Sequence, residues 1–223
     1  MIGYTGVAST SGFTLYLGDR LVCQVGERGV RIRPSRRQWL PLLLAIALAP
    51  GLAGLVGSAL HALLLKDLAL PHPAWILGLL LGLLLLFLYS PAGMRLRRWH
   101  GAEHQTLGAV EKILNDPRLT PEEAFAASSH LHAYCGTVLL GMFLPLLPLA
   151  FLSPLLAFAA LALVAYLHDR LPADHALRTP GLLLQRLLTA PVQQERTRCL
   201  EALYALKQQG FFDQNPGGAN PGL

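Results

Sequence analysis

In the stretch Tyr89-Ser90-Pro91-Ala92-Gly93-Met94-Arg95-Leu96-Arg97-Arg98-Trp99-His100-Gly101-Ala102-Glu103-His104, an apolar run meets three arginines and then a pair of histidines. The run upstream is free of Asp, Glu, Lys and Arg from Leu68 to Met94, and an earlier one is free of them from Gln38 to Leu65. Each exceeds the roughly 20 residues that cross a bilayer core of ~30 Å. They predict a first span over about 40–64 and a second over about 74–93. Pro71-His72-Pro73 between them is unsuited to a helix interior. Glycines 51, 54 and 57 in the first span, and Gly78-x-x-x-Gly82 in the second, suit close helix packing. A third charge-free run, Ala124 to Leu167, suits two more spans at about 134–151 and 154–167, turning at Ser153-Pro154. A re-entrant hairpin is the alternative, because the second member is short and Pro145 and Pro148 interrupt the first. The expected fold class is therefore mainly α: a polytopic helical membrane protein of about four spans, or two plus a re-entrant hairpin.

Composition agrees with that expectation. Of 223 residues, 53 % are hydrophobic and 14 % charged, against about 25 % charged in soluble domains. Cys23, Cys135 and Cys199 are too few and too scattered for a disulfide framework, which points to a reducing compartment. No cleavable secretory signal opens the chain. Phe13–Leu17 and Arg20–Val25 flank Gly18-Asp19 and read as a β-hairpin. Arg28, Arg31, Arg33, Arg36 and Arg37 follow. Lying against an apolar run, they read as a topology determinant and not as a nucleic-acid patch. Four spans with both ends on one side put 17 of the 18 Lys and Arg on that side, with Lys66 opposite. The positive-inside rule makes that side cytosolic, so both termini are expected there and the location is a bacterial inner membrane. The expected organisation is a cytosolic hairpin and basic segment at 1–38, a membrane domain with cytosolic helices at 39–208, and a tail at 209–223 that is disordered by composition. Within 39–208, residues 181–188 read as interfacial, and 193–208 as a last soluble helix.

The chemistry concentrates at the end of the second span. On a helix, His100, Glu103 and His104 stand at i, i+3 and i+4 and share one face. Two imidazoles beside a carboxylate can hold a divalent metal and activate water. The order inverts the H-E-x-x-H zinc motif. An interfacial helix that carries histidines on its polar face is the competing explanation. The helix is expected to run from Met94 or Trp99 to Leu114 and to stop at Asn115-Asp116-Pro117. Thr120-Pro121-Glu122-Glu123 then opens a second helix with a Thr N-cap and Pro at N1. That helix is expected to deliver His132 and Cys135, the candidates for further ligands. His168 and Asp169 lie at the end of the last span and are candidates for a fourth ligand or for orienting the others. His61 reads as an ordinary hydrogen-bonded group, and His130 and His175 as interfacial polar groups facing headgroups or water.

Three segments resemble, in order, the bacterial membrane family called domain of unknown function 1385. They are Trp99-His100-Gly101-Ala102-Glu103-His104-Gln105-Thr106, Leu131-His132-Ala133-Tyr134-Cys135-Gly136-Thr137, and Pro180–Leu187 with Leu200-Glu201-Ala202-Leu203 behind it. The family is described as predicted metal-dependent enzymes. The resemblance implies that His100, His104, His132 and Cys135 bind metal, with Glu103 catalytic. Thr137, His168, Asp169, Gln185 and Glu201 are candidates for the supporting shell. Gln105, Tyr134 and Leu167 depart from the family pattern. Its Gly-rich N-terminal segment is echoed only by Gly6-Val7, which marks a divergent or shortened member.

Three functions of different class follow as expectations. The first is a metal-dependent hydrolase, peptidase-like, with a divalent metal, zinc by its ligand types. It would act on a membrane protein or lipid at the cytosolic interface of the bilayer. The second is a non-catalytic adaptor or assembly factor with a structural metal site. The third is a haem or redox protein, since eight histidines can supply axial ligands. No nucleic-acid partner is expected, and the oligomeric state is left open.

Overall fold

The computed structural model describes residues 4–18, 21–34, 73–146 and 154–213. Four strands, β1 (Tyr4–Ser9), β2 (Gly12–Leu17), β3 (Leu21–Gly26) and β4 (Gly29–Pro34), form an antiparallel meander in chain order. β2 and β3 are the two runs around Gly18-Asp19. They pair with Leu15 opposite Cys23 and Phe13 opposite Val25. Gly18 leaves β2 at φ 62, a left-handed conformation that favours glycine. Alternation along the strands turns Phe13, Leu15, Leu17, Cys23 and Val25 to one buried face.

That face is covered by the longest helix. After α1 (Pro73–Tyr89), Ser90 caps α2 (Pro91–Asn115): its Oγ accepts from the Gly93 N–H at 3.1 Å, and Pro91 needs no intrahelical partner for its nitrogen. Trp99, Ala102, Ala109, Val110 and Ile113 recur at helical spacing and are buried. They share one core with the sheet face and with Cys199, Ala202, Leu203 and Leu206 of α7 (Arg196–Gln208). The rings of Phe13 and Trp99 lie 6.1 Å apart. A hairpin alone is marginal in water; four strands closed over α2 and α7 are not alone. Between α2 and the site loop, α3 (Pro121–Ala126) opens with a capping box formed by Thr120 and Glu123.

The remaining helices make a smaller cluster. α4 (Gly136–Phe143), α5 (Pro154–Arg170) and α6 (Thr179–Leu188) meet around the buried Val138, Met142 and Val164. Glycines set the approach of α4 to α6. A Cβ at Gly181 would overlap the Val138 carbonyl, and one at Gly141 would overlap the Gly181 Cα.

The polytopic expectation is overturned. Among the described residues, no helix is long and apolar enough to cross a membrane. α1 has 17 residues, about 26 Å at 1.5 Å per residue, short of the ~30 Å core, and the chain bends at Ser90 before α2. α5 also has 17 residues and spends its last turn on His168-Asp169-Arg170. The span expected at 134–151 holds a helix of only eight residues: α4 gives way to a 3-10 turn, Leu144–Leu146, at Pro145, whose missing N–H cannot continue the helix. The span expected at 40–64 lies outside the described residues, as do His61 and the tail from 214 onward. The described architecture is seven α-helices with a four-stranded antiparallel sheet. Two boundaries also move. The helix after Thr120 ends at Ala126, so His130 and His132 stand on a loop, and residues 181–188 belong to a helix packed on α4.

Candidate metal centre

α2 carries His100, Glu103 and His104 on one turn. The chain leaving α6 crosses this helix at Gly101, where a Cβ would overlap the Ala190 carbonyl. The Ala190 N–H donates to the Arg97 carbonyl at 3.0 Å. This crossing puts the Leu188 carbonyl 3.2 Å from His100 Nδ1. One turn on, His104 Nδ1 lies 3.0 Å from the His130 carbonyl. A carbonyl only accepts, so both Nδ1 atoms carry hydrogen and each Nε2 is the atom left to meet another partner. Fixing the tautomer in this way is how metal-binding histidines are oriented.

The third group arrives from the loop between α3 and α4. Cys135 is the N-cap of α4; its Sγ accepts from the Thr137 N–H at 3.5 Å and from the Thr137 hydroxyl at 3.3 Å. Sγ stands 3.7 Å from His100 Nε2. Ligand atoms of His100, His104 and Cys135 all lie within 4.8 Å of one another. Two donors on a tetrahedral zinc, one N at ~2.05 Å and one S at ~2.3 Å, are about 3.6 Å apart. The His100–Cys135 separation matches that distance. His104 Nε2 is buried without a hydrogen-bond partner, a cost that a metal removes. On these observations the three residues fit a metal ion.

The charges are arranged to match. Burial pushes the Cys135 thiol up, but the imidazoles of His100 and His104 and the Thr137 hydroxyl outweigh it and bring the thiol down to about 4. Burial pulls His100 down, yet Cys135, Glu103 and the Leu188 carbonyl together leave it raised. Burial leaves His104 lowered. Glu103 is pushed up to about 8 by burial, with His100 acting against the rise and Cys135 adding to it. Its carboxyl sits under β1, where a Cβ at Gly6 would overlap it. The glycine of the Gly6-Val7 pair is thus the cover over Glu103.

The other candidates are placed differently. The His132 ring is 6.0 Å from that of His104, and its Nε2 faces Glu111 Oε1 at 3.3 Å. It stands beside the group formed by His100, His104 and Cys135 and not within it. Glu111 was not singled out from the sequence, although it lies two turns after His104 and so on the same face. His168 is buried, 6.1 Å from the Tyr134 ring, with Nδ1 3.6 Å from Asp169. Asp169 is exposed, and Glu201 pairs with Arg198 on the surface of α7. His175 caps a 3-10 turn by accepting from the Leu177 N–H. Gln185 is fully buried and binds the His132 backbone and Thr137. The largest omission is Arg178, fully buried and bonded to the carbonyls of Ala133, His168, Leu171 and Pro172. Its partners are backbone groups, which leave no signal in a sequence.

No curated protein and no solved structure matches the chain significantly. The family profile described as protein of unknown function (DUF1385) matches residues 39–209, which cover His100, Glu103, His104, His132 and Cys135. The chain belongs to this family.

Proposed function

We propose that the chain is a metal-dependent hydrolase whose zinc is held by His100, His104 and Cys135. The observation that carries this is the pair of histidines with Nδ1 tied to backbone carbonyls, one Nε2 3.7 Å from the Cys135 sulfur and the other buried without a hydrogen-bond partner. Zinc in such a site supplies Lewis acidity to a carbonyl or phosphoryl substrate and lowers the pKa of water. His100, His104 and Cys135 would supply three protein ligands, the number found in catalytic sites. Glu103 would be the base that takes a proton from water and gives it to the leaving group. A dication beside it opposes the effect of burial and favours the carboxylate that this task needs. The test is metal content of the purified chain by mass spectrometry. One zinc per chain is expected, with more than tenfold loss in His100→Ala and Cys135→Ser. A metal-free wild type, or variants with unchanged content, would overturn the reading.

A non-catalytic adaptor is the second reading, and the cover of β1 over Glu103 favours it. Glu103→Gln separates the two in a deletion strain: full complementation assigns the site a structural role, and loss of function with metal retained assigns catalysis. Haem gains no support, because His100 and His104 stand one turn apart on one helix with ring centroids 4.4 Å apart, which leaves no room for a macrocycle between the two imidazoles.

The partner we propose is a lipid surface met from one side, at the cytosolic face of the inner membrane. Leu79, Leu83 and Leu86 of α1 and Leu163 and Tyr166 of α5 are exposed, Leu86 at 72 %. Arg97 stacks on Tyr89 at the end of α1, and Arg170 stacks on Tyr166 at the end of α5, both at 5.3 Å. Apolar faces that end in tyrosine and arginine suit acyl chains below and anionic headgroups above. Flotation with phosphatidylglycerol vesicles should carry the chain upward, and Leu83→Glu/Leu86→Glu should abolish it. Sedimentation of wild type free of vesicles would exclude lipid as the partner.

A further inference from the structure

Gln185 reaches the candidate site from the far side of α4. Gly181, one turn before it on the same face of α6, lets the two helix backbones meet. The fully buried carboxamide therefore arrives beside Thr137. Its orientation is set by its partners. The His132 N–H donates to Oε1 at 2.9 Å, so the other end is the NH2 group. That group donates to the His132 carbonyl at 3.2 Å and to Thr137 Oγ1 at 3.3 Å. With Oγ1 accepting from the amide, the Thr137 proton is directed to Cys135 Sγ at 3.3 Å. The Thr137 N–H points to the same sulfur. The donors run one way, from carboxamide through hydroxyl to sulfur, and Gln185 clamps both backbone groups of His132, three residues before the cysteine.

We infer that Gln185 and Thr137 are positioning residues that hold the Cys135 sulfur as a ligand facing His100 and His104; this rests on the metal-site reading above. Donors to a metal-bound sulfur fix its direction and offset its charge, and such outer partners are worth about 10–100-fold in metal affinity. Gln185→Glu keeps the shape but reverses the relay, because a carboxylate accepts the Thr137 proton and cannot donate to the His132 carbonyl. Thr137→Val removes the hydroxyl at nearly constant volume.

The experiment is a cobalt(II) titration of the full chain, read by the near-ultraviolet thiolate-to-cobalt charge-transfer band, with circular dichroism as the check on folding. Thr137→Val and Gln185→Glu should bind cobalt about 10–100-fold more weakly with a displaced band, and Thr137→Ser should restore both affinity and band. If Thr137→Val and Gln185→Glu keep wild-type affinity and an unmoved band while Cys135→Ser loses the band, the positioning roles are refuted and the metal site stands. If wild type shows no band, or Cys135→Ser keeps it, the metal site itself is refuted.

Discussion

The three cysteines occupy two kinds of environment. Cys23 and Cys199 are buried in the main core, and desolvation pushes each thiol up to about 12. Cys135 is only partly buried, and its thiol is held at about 4 against the effect of burial by His100, His104 and Thr137. The thiolate is the nucleophile in alkylation. In metal-free protein near pH 6, iodoacetamide should therefore modify Cys135 alone, as read by peptide mass spectrometry; bound zinc should protect it. Glu103 has the opposite consequence for folding. The unfolded chain releases its proton near 4.5 and the folded chain near 8. Its contribution to the stability of metal-free protein is thus full below about 4.5 and is lost as pH rises through about 8. Glu103→Gln removes that loss. Relative to wild type, it should gain a few kcal/mol between about pH 5 and pH 8, measured by urea unfolding at several pH values.

At the scale of elements, the loop carrying His130 to Cys135 is held by side chains that come from α6 and the turn before it. Arg178 stacks its guanidinium on Tyr134 at 4.5 Å and donates to four carbonyls, of which Ala133 belongs to this loop and His168 to α5. One side chain thereby joins the loop, the end of α5 and the start of α6. Arg178→Leu takes this donor from the Ala133, His168 and Leu171 carbonyls, whereas Pro172 keeps the His175 N–H at 3.1 Å. Each costs on the order of 1 kcal/mol or more, so a loss of about 3 kcal/mol is expected in chemical denaturation. The same variant should weaken cobalt binding, because Cys135 lies two residues beyond Ala133.

For the whole molecule, the N-terminal sheet and the site are one structure. Residues 4–34 precede the region matched by the family profile, yet β2 and β3 supply one side of the core on α2, and β1 covers Glu103. Phe13→Ala removes a buried ring from contact with Trp99, a change that costs about 3–5 kcal/mol in a packed core. Thermal unfolding should show that loss, and metal content after purification should fall with it. If Phe13→Ala unfolds like wild type, the sheet is not part of the same cooperative core.

Local features were legible along the chain because they depend on neighbours in sequence. The spacing of His100, Glu103 and His104, the Thr120-Pro121 helix start, and the pairing around Gly18-Asp19 are each fixed within a few residues by helix pitch, capping and turn geometry; the start of α2 at Pro91, expected at Met94 or Trp99, was not read. The identity of Cys135 as a companion of the two histidines was also within reach, through the likeness of its segment to a family. Which donor completes the group was not. His132 and Cys135 are three residues apart, and only the end of α3 at Ala126, the Gln185 clamp and the start of α4 at Gly136 decide that the sulfur turns to His100 while His132 turns to Glu111. Apolar runs misled for the same reason: hydropathy registers that a segment avoids water, whereas its helix length is decided by where Ser90 and Pro145 interrupt it. The cover over Glu103 and the four carbonyls on Arg178 depend on backbone brought together from distant parts of the chain, and only the packed tertiary structure determines them.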